Sequence, residues 1–422
     1  MRSLTSHERG VLVATCLSSL GSFYTMAVTG FALPQIQRGL SIPEDELGSL
    51  FALIRFGTFF SLLVAVFADR VGRRRLLIAS VAGCAVCNVA TAFAQSGLTL
   101  AWMQLGARFF MGAQILLAAV VVSEELAAEN RGWGLGILSA VGGLGGALTI
   151  LVYVFVEQLP FGWRSLYVVG GFGLLSVPWL WRRLQETRRF SDQQSQLDPN
   201  AANGPAWQPL RDIIRLHGWR LAALVGVVAP VSVILEPGTA FVSKHLQDDL
   251  GYTPAGVGLL MAVCGIATPL GNMVAGSVSD RFGRKPVAIL MSLLLSVAVA
   301  LFYKGTGAVA VAVGLALVFM SFGSLLVLHS ALATELFPTA YRSTAAGVRE
   351  AVATVGASLG LGLLTLLYAA TGSHPASISW LLLLTPISPL ILLFIPETAG
   401  RELEEIAPDK ALTEPEKGRQ AS

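Results

Sequence analysis

Charge is scarce in this 422-residue chain: only 13% of its residues are Asp, Glu, Lys or Arg. A soluble domain carries about a quarter, and a chain this poor in charge cannot cover one aqueous core. It has no phosphate-cradling Gly-Lys-Ser/Thr loop, no nucleophile–base signature and no His/Cys ligand cluster. ATP drive, enzymatic catalysis and a bound metal are therefore unsupported, and no cofactor is expected. The four cysteines, Cys16, Cys84, Cys87 and Cys264, all fall in apolar stretches. Cys84-x-x-Cys87 lacks a second Cys or His pair, so both read as small packing residues. Alternating ten-residue strands are also missing, which excludes a membrane β-barrel.

What the chain has in quantity is apolar length, with 54% hydrophobic residues. Runs near the roughly 20 residues that a spanning helix needs recur from Gly10 to Pro396. The spans are read at 10–36, 46–68, 75–95, 98–123, 133–156, 164–182, 219–242, 253–279, 286–303, 307–333, 343–370 and 376–395. Only helices and closed barrels cross a bilayer. The expected fold is therefore an all-α membrane protein of twelve transmembrane helices, with the lipid bilayer as its surroundings. The first run is too long for a signal-peptide core, and other spans follow it, so it reads as a spanning helix. With the N-terminus inside, external loops carry only Arg38, Arg164, Lys244 and Lys304, and Arg55, Arg108 and Arg349 fall within spans. The other basic residues gather on the cytoplasmic side, which predicts two cytoplasmic termini in a cell (inner) membrane. Basic loops this short suit topology and gating, not nucleic acid.

A polar stretch from Gln185 to about Arg215, rich in Gln, Asn, Asp, Ser and Pro, divides the spans six and six. It reads as a linker, with Leu210–Leu216 as a short amphipathic interfacial helix. The predicted organisation is a six-helix bundle over 1–184, a cytoplasmic linker over 185–217, a second bundle over 218–397 and a tail over 398–422. The halves repeat at an offset of 211: Asp69 falls on Asp280, Arg70 on Arg281, Gly72 on Gly283 and Arg73 on Arg284. Glu124 likewise falls on Glu335, Arg131 on Arg342 and Glu186 on Glu397. Charged identities at matching helix ends point to an internal duplication, and parallel six-helix repeats are a transporter architecture.

Two loops read Asp69-Arg-Val-Gly-Arg-Arg-Arg75 and Gly276-Ser-Val-Ser-Asp-Arg-Phe-Gly-Arg-Lys285. Gly72 and Gly283 permit a tight turn with positive φ, and the flanking charges can form ion pairs that hold in one conformation and break in another. These loops resemble the signature of the major facilitator superfamily between its second and third and its eighth and ninth helices. The N-terminal copy departs by having Ala65 where the pattern has glycine. Arg108-x-x-x-Gly112, Glu335-x-x-Pro338-x-x-x-Arg342, the weaker Glu124…Arg131-Gly132 and Gln185-Glu-Thr-Arg-Arg-Phe190, and Pro396-Glu-Thr-Ala-Gly-Arg-Glu-Leu-Glu-Glu405 are similar to the sugar-porter-like cluster. That cluster also holds organic-ion/proton symporters. The resemblance implies alternating access for a small-molecule substrate, a site near the bilayer midplane, and Asp69, Arg70, Arg73, Glu124, Arg131, Glu186, Asp280, Arg281, Arg284, Glu335, Arg342 and Glu397 as gating residues. A monomer is expected.

The departures narrow the substrate. The seventh span reads Val228-Ala-Pro-Val-Ser-Val-Ile-Leu-Glu-Pro-Gly238, without the Gln-rich element of sugar porters. The first span has no acid in Gly21-Ser-Phe-Tyr-Thr-Met-Ala-Val28, where proton-coupled relatives commonly carry an aspartate. Helix five lacks the Gly-Pro of drug antiporters, and its Gly142-Gly-Leu-Gly-Gly146 serves close packing.

A charge at bilayer depth is costly unless paired or hydrated, so Arg55, Arg108, Glu236, Arg349, Glu350 and His329 stand out. Arg55 and Arg108 have nothing acidic nearby in sequence and point to an anion-attracting site, because a guanidinium takes a carboxylate bidentately. Arg108, Arg55, Glu236 and Tyr24 are the expected substrate-binding residues. If protons couple, the candidates are Glu236, Glu350 and His329. Glu236 reads either as a proton carrier or as an external-end ion pair, and His329 as a packed histidine or a relay. Arg349 and Glu350 are adjacent, about 100° apart on a helix, and need not pair. The expected function is secondary transport of a small organic anion, with export of drugs or secondary metabolites as the alternative.

Overall fold

A computed structural model of the chain describes residues 4–62, 64, 71–186, 208–338 and 341–399. Among them there is no strand. The helices are α1 (Ser6–Phe31), α2 (Leu33–Leu40), α3 (Leu47–Ser61), α4 (Arg73–Ala92), α5 (Gly97–Glu125), α6 (Ala128–Tyr153), α7 (Trp163–Gly171) and α8 (Gly173–Arg183). They continue as α9 (Gln208–Ala240), α10 (Pro254–Gly265), α11 (Ala267–Phe282), α12 (Arg284–Lys304), α13 (Ala308–Glu335), α14 (Arg342–Thr371), α15 (His374–Leu381) and α16 (Ile387–Phe394). Ten of the described helical segments are long and apolar enough to cross a membrane. Among the described residues, the second and sixth spans read from the sequence correspond to α3 and to the pair α7 and α8, which are not among these ten. Gln208–Leu216 is helical as expected, and a non-helical His217 (φ −130°, ψ 28°) separates it from the apolar run that follows within α9.

Local chemistry sets the helix ends. Thr5 caps α1: its hydroxyl accepts from the Glu8 N–H at 3.2 Å, while Glu8 Oε2 accepts from the Thr5 N–H at 2.9 Å. This is a reciprocal capping box. The other oxygen of Glu8 accepts from the Ala127 N–H at 3.0 Å, which ties the start of α1 to the start of α6. Ser96 caps α5 through the Thr99 N–H at 3.2 Å.

The described residues fall into two compact units. One lies within Met1–Asn203, Glu236–Val263 and Ala357–Ile378, the other within Gly204–Leu235, Cys264–Gly356 and Ser379–Ser422. Apolar burial cannot drive helices together in lipid; close backbone approach and interhelical hydrogen bonds do so instead. In the first unit a Cβ on Gly57 of α3 would strike the Leu105 carbonyl and stand 2.9 Å from Arg108 Cβ on α5. One turn beyond Arg108, Gly112 makes room for the Ser61 side chain of α3. The second unit repeats this second contact at the offset of 211, where Gly323 of α13 accommodates Asn272 Oδ1 of α11.

Gly57→Ala should therefore lower the thermal midpoint of the purified protein in detergent, at an overpacking cost of about 1–3 kcal/mol. Gly143→Ala is the control, because nothing lies within 4 Å of a Cβ there, and it should not destabilise.

Candidate functional site

The two signature loops build the same device twice. Gly72 (φ 102°) and Gly283 (φ 106°) adopt a backbone that glycine alone enters readily. A Cβ would stand 2.5 Å from Glu186 Oε2 at the first and 2.6 Å from Glu397 Oε2 at the second. Each carboxylate sits against a helix start: Glu186 accepts from the Arg74 N–H at 3.0 Å, and Glu397 from those of Arg284 at 2.7 Å and Lys285 at 3.1 Å. This is the anion-binding end of a helix. Glu397 also takes the Thr398 and Ala399 N–H groups. Burial works to raise its pKa, but these four backbone bonds outweigh it and hold the carboxyl below its ordinary value.

The ion pairs repeat as well. Arg73 lies 3.3 Å from Glu124, and Arg284 lies 3.3 Å from Glu335. Arg131 Nε donates to the Leu126 carbonyl at 3.1 Å, and Arg342 Nε to the Phe337 carbonyl at 3.4 Å. Asp280 joins Arg284 at 2.6 Å. Arg281, expected in the cluster, instead lies over the Phe282 ring at 5.4 Å. Asp69 and Arg70 lie outside the described residues.

Deep in the first unit, α3 and α5 bring Arg55 and Arg108 together. Arg108 is 7% exposed. Its Nη2 donates to the Met26 carbonyl of α1 at 3.1 Å, and its buried Nε has no hydrogen-bond partner. Arg55 has an acidic partner that sequence neighbourhood concealed: Nη2 lies 3.5 Å from Glu236 Oε2 of α9. Its Nε is likewise buried without a partner. Glu236 is thus ion-paired and only partly exposed. Arg108 is held in place by a backbone carbonyl, and neither guanidinium has its donors filled.

The other expected site residues are placed differently. Tyr24 is buried, and its hydroxyl donates to the Leu166 carbonyl at 2.8 Å, so it joins α1 to α7 instead of facing a ligand. Arg349 and Glu350 do pair, at 2.6 Å, because both side chains are long enough to bridge the angle between adjacent positions. His329 is buried and its Nε2 has no hydrogen-bond partner.

Two further polar groups carry no signal in the sequence. One is a buried chain in which Tyr167 donates to Thr29, Thr29 to Gln104, and Gln104 to Thr91, linking α7, α1, α5 and α4. The other closes the first unit at the opposite ends of its helices from Arg73 and Glu124. Lys244 is 5% exposed, and its Nζ donates to Gln37 at 2.6 Å, Asp248 at 2.7 Å and Glu44 at 2.9 Å. The second oxygen of Glu44 lies 2.9 Å from His374 Nε2, and that ring stacks on Tyr368. Burial raises the Glu44 pKa, but the bonds from Gln37, Lys244 and His374 outweigh it and keep the carboxyl below its ordinary value. Lys244 reads from sequence as a loop residue; the one available hint is its i,i+4 spacing to Asp248.

The Major Facilitator Superfamily model matches the chain twice, over residues 15–237 and 222–417. The gallate transporter of Pseudomonas putida is 28% identical over 45% of this chain and 42% of its own length. The 3-(3-hydroxy-phenyl)propionate transporter of Escherichia coli is 25% identical over 79% of this chain and 81% of its own. Multidrug resistance protein Stp of Mycobacterium tuberculosis is 24% identical over 84% and 74%. Among solved structures, a D-xylose-proton symporter is similar with a TM-score of 0.75 at 17% identity, over 94% of this chain and all of that one. The duplicated loops, the all-helical membrane fold and the matched family model agree, and the chain belongs to the Major Facilitator Superfamily, as a multi-pass membrane transporter and not an enzyme.

Proposed function

We propose that this transporter carries a small organic carboxylate across the cell membrane by alternating access, with a proton accompanying those substrates whose charge requires one, as a monomer with both termini in the cytoplasm. The observation that carries the reading is the Arg55–Arg108 pair, two guanidinia whose donors are not filled by the protein. A buried donor without an acceptor is costly, and a carboxylate supplies two acceptor oxygens in the geometry that a guanidinium fits. Two of the relatives, named for gallate and for a hydroxyphenyl-propionate, carry carboxylates, which supports the same class.

In this reading the Arg73–Glu124 and Arg284–Glu335 clusters are cytoplasmic gating elements, together with the Asp69 and Arg70 loop. The Lys244 cluster lies at the external ends of the helices. The six-and-six division over 1–184 and 218–397 is part of the same proposal. Candidate carriers for a coupled proton are Glu236, Glu350 and His329: protonation would release Arg55 from the first or Arg349 from the second, and His329 Nε2 has no bond to lose.

Export of drugs is the second reading, favoured by the similarity to Stp. Liposomes carrying the purified protein separate the two. Saturable uptake of a radiolabelled aromatic carboxylate supports the first, and uptake of an aromatic dicarboxylate should also be stimulated by an inward proton gradient. Extrusion of bulky amphiphilic cations with no carboxylate uptake overturns it in favour of the second.

A further inference from the structure

We infer that Glu236 sets the charge of the substrate: the site takes one negative charge, so a monocarboxylate loads without a proton and a dicarboxylate loads only with Glu236 protonated. The inference rests on the carboxylate reading above and concerns the charge rule at the same site.

The argument is a count of charges and donors. Arg55 and Arg108 supply two positive charges, and Glu236 supplies one negative charge 3.5 Å from Arg55. Among the described residues, Tyr167 and Cys84 also lie close enough to act on Arg108, and both side chains are neutral. The cluster is therefore one anion short of neutrality. A net charge in a poorly hydrated interior is unfavourable, and a charge that completes a neutral set is favoured there.

The donors show that the missing anion need not evict Glu236. Each arginine has five N–H donors. Arg55 shows Glu236 a single nitrogen, Arg108 gives one bond to Met26, and the Nε of each has no partner. An incoming carboxylate can bond to these free donors while Glu236 stays ionised on Arg55. A second negative charge finds no third cation in this set. It can be accommodated only if Glu236 becomes neutral, and the proton then comes from solvent along with the dianion. The neighbours that would face that titration are Arg55 on α3, Arg108 on α5, Tyr167 on α7 and Cys84 on α4.

The test uses the full chain in nanodiscs at pH 7.5, with benzoate and phthalate, and butyrate and succinate, as paired probes. Calorimetry in buffers of different ionisation enthalpy counts protons. Wild type should bind each monocarboxylate more tightly than its dicarboxylate partner, taking up no proton with the first and about one with the second. Glu236→Gln leaves two positive charges, so the order should invert, with the dicarboxylate gaining about tenfold or more over the monocarboxylate and its proton uptake lost. Glu236→Asp should keep the wild-type order. An unchanged order in a folded Glu236→Gln protein overturns the inference, as does a proton taken up with benzoate by wild type. The proton count on wild type decides the matter even if Glu236→Gln fails to fold. If no carboxylate binds folded wild type, the carboxylate reading itself falls, and the charge rule with it.

Discussion

Arg108→Ala should abolish carboxylate binding in a protein that still folds. The side chain is buried at the level where α1, α3 and α5 meet, and its fixed bond is to the Met26 carbonyl. That bond sets the tilt of the guanidinium and leaves the remaining edge for ligand. Removing one partner of a buried, charge-assisted contact costs about 2–5 kcal/mol, roughly thirtyfold to several thousandfold in affinity. Arg108→Lys should recover little, because an ammonium cannot reproduce the planar fork. It should still bond to Met26, so failure of rescue would point to ligand geometry and not to lost packing. Binding is read by thermal shift and by titration with benzoate. Full-affinity binding by folded Arg108→Ala would remove the anion assignment and leave the family assignment standing. A companion pair tests Arg55. Arg55→Ala strands Glu236, so the double change Arg55→Ala, Glu236→Ala should be more stable than Arg55→Ala alone, by the amount that an unpaired buried charge costs.

Glu397→Gln should slow transport about ten- to a hundredfold, while leaving ligand affinity within about threefold. Hydrogen bonds to a charged acceptor contribute about 1.5–3 kcal/mol each against about 1 for neutral ones, and each 1.4 kcal/mol is tenfold in rate. Glu397 accepts from four backbone N–H groups and so fastens the segment after α16 to the start of α12. Arg284 carries the connection onward to Glu335 at the end of α13. None of these atoms belongs to the arginine cluster, so the effect should fall on the exchange between conformations and not on binding. Asp280→Asn, which weakens the partly exposed Asp280–Arg284 pair, should slow turnover less. Counterflow in liposomes measures turnover and equilibrium titration measures affinity. Turnover unchanged in both variants would show that this corner is structural and does not set the rate.

Features with a strong local signal were legible in advance. Long apolar runs announced the helices, and the offset of 211 announced contacts that the structure repeats atom for atom: Glu186 on Arg74 and Glu397 on Lys285, Arg131 on the Leu126 carbonyl and Arg342 on that of Phe337. Arg55 and Arg108 were visible because a charge in an apolar run has no innocuous explanation. The pairing of Arg55 was not. Glu236 lies far away in sequence from Arg55, and only tertiary packing makes them neighbours. Tyr24 spends its hydroxyl on the Leu166 carbonyl, a partner on α7 that no local pattern announces. The Lys244 group has no such signal, since an isolated lysine between hydrophobic runs reads as a solvated loop until its acceptors are folded around it.

That lysine gives the closed end of the first unit a particular mechanical character. All three of its ammonium protons are engaged, by Gln37 on α2, by Glu44 in the turn before α3 and by Asp248 after α9, and Glu44 is at the same time engaged by His374 of α15. Four stretches of chain thus meet on one nitrogen and one carboxylate. Drawing any one of them away leaves the others with a buried charge that has lost a partner, so each departure makes the next easier. Such a closure does not fray strand by strand. It holds through small displacements and then releases as a unit, the behaviour of a clasp and not of a zip.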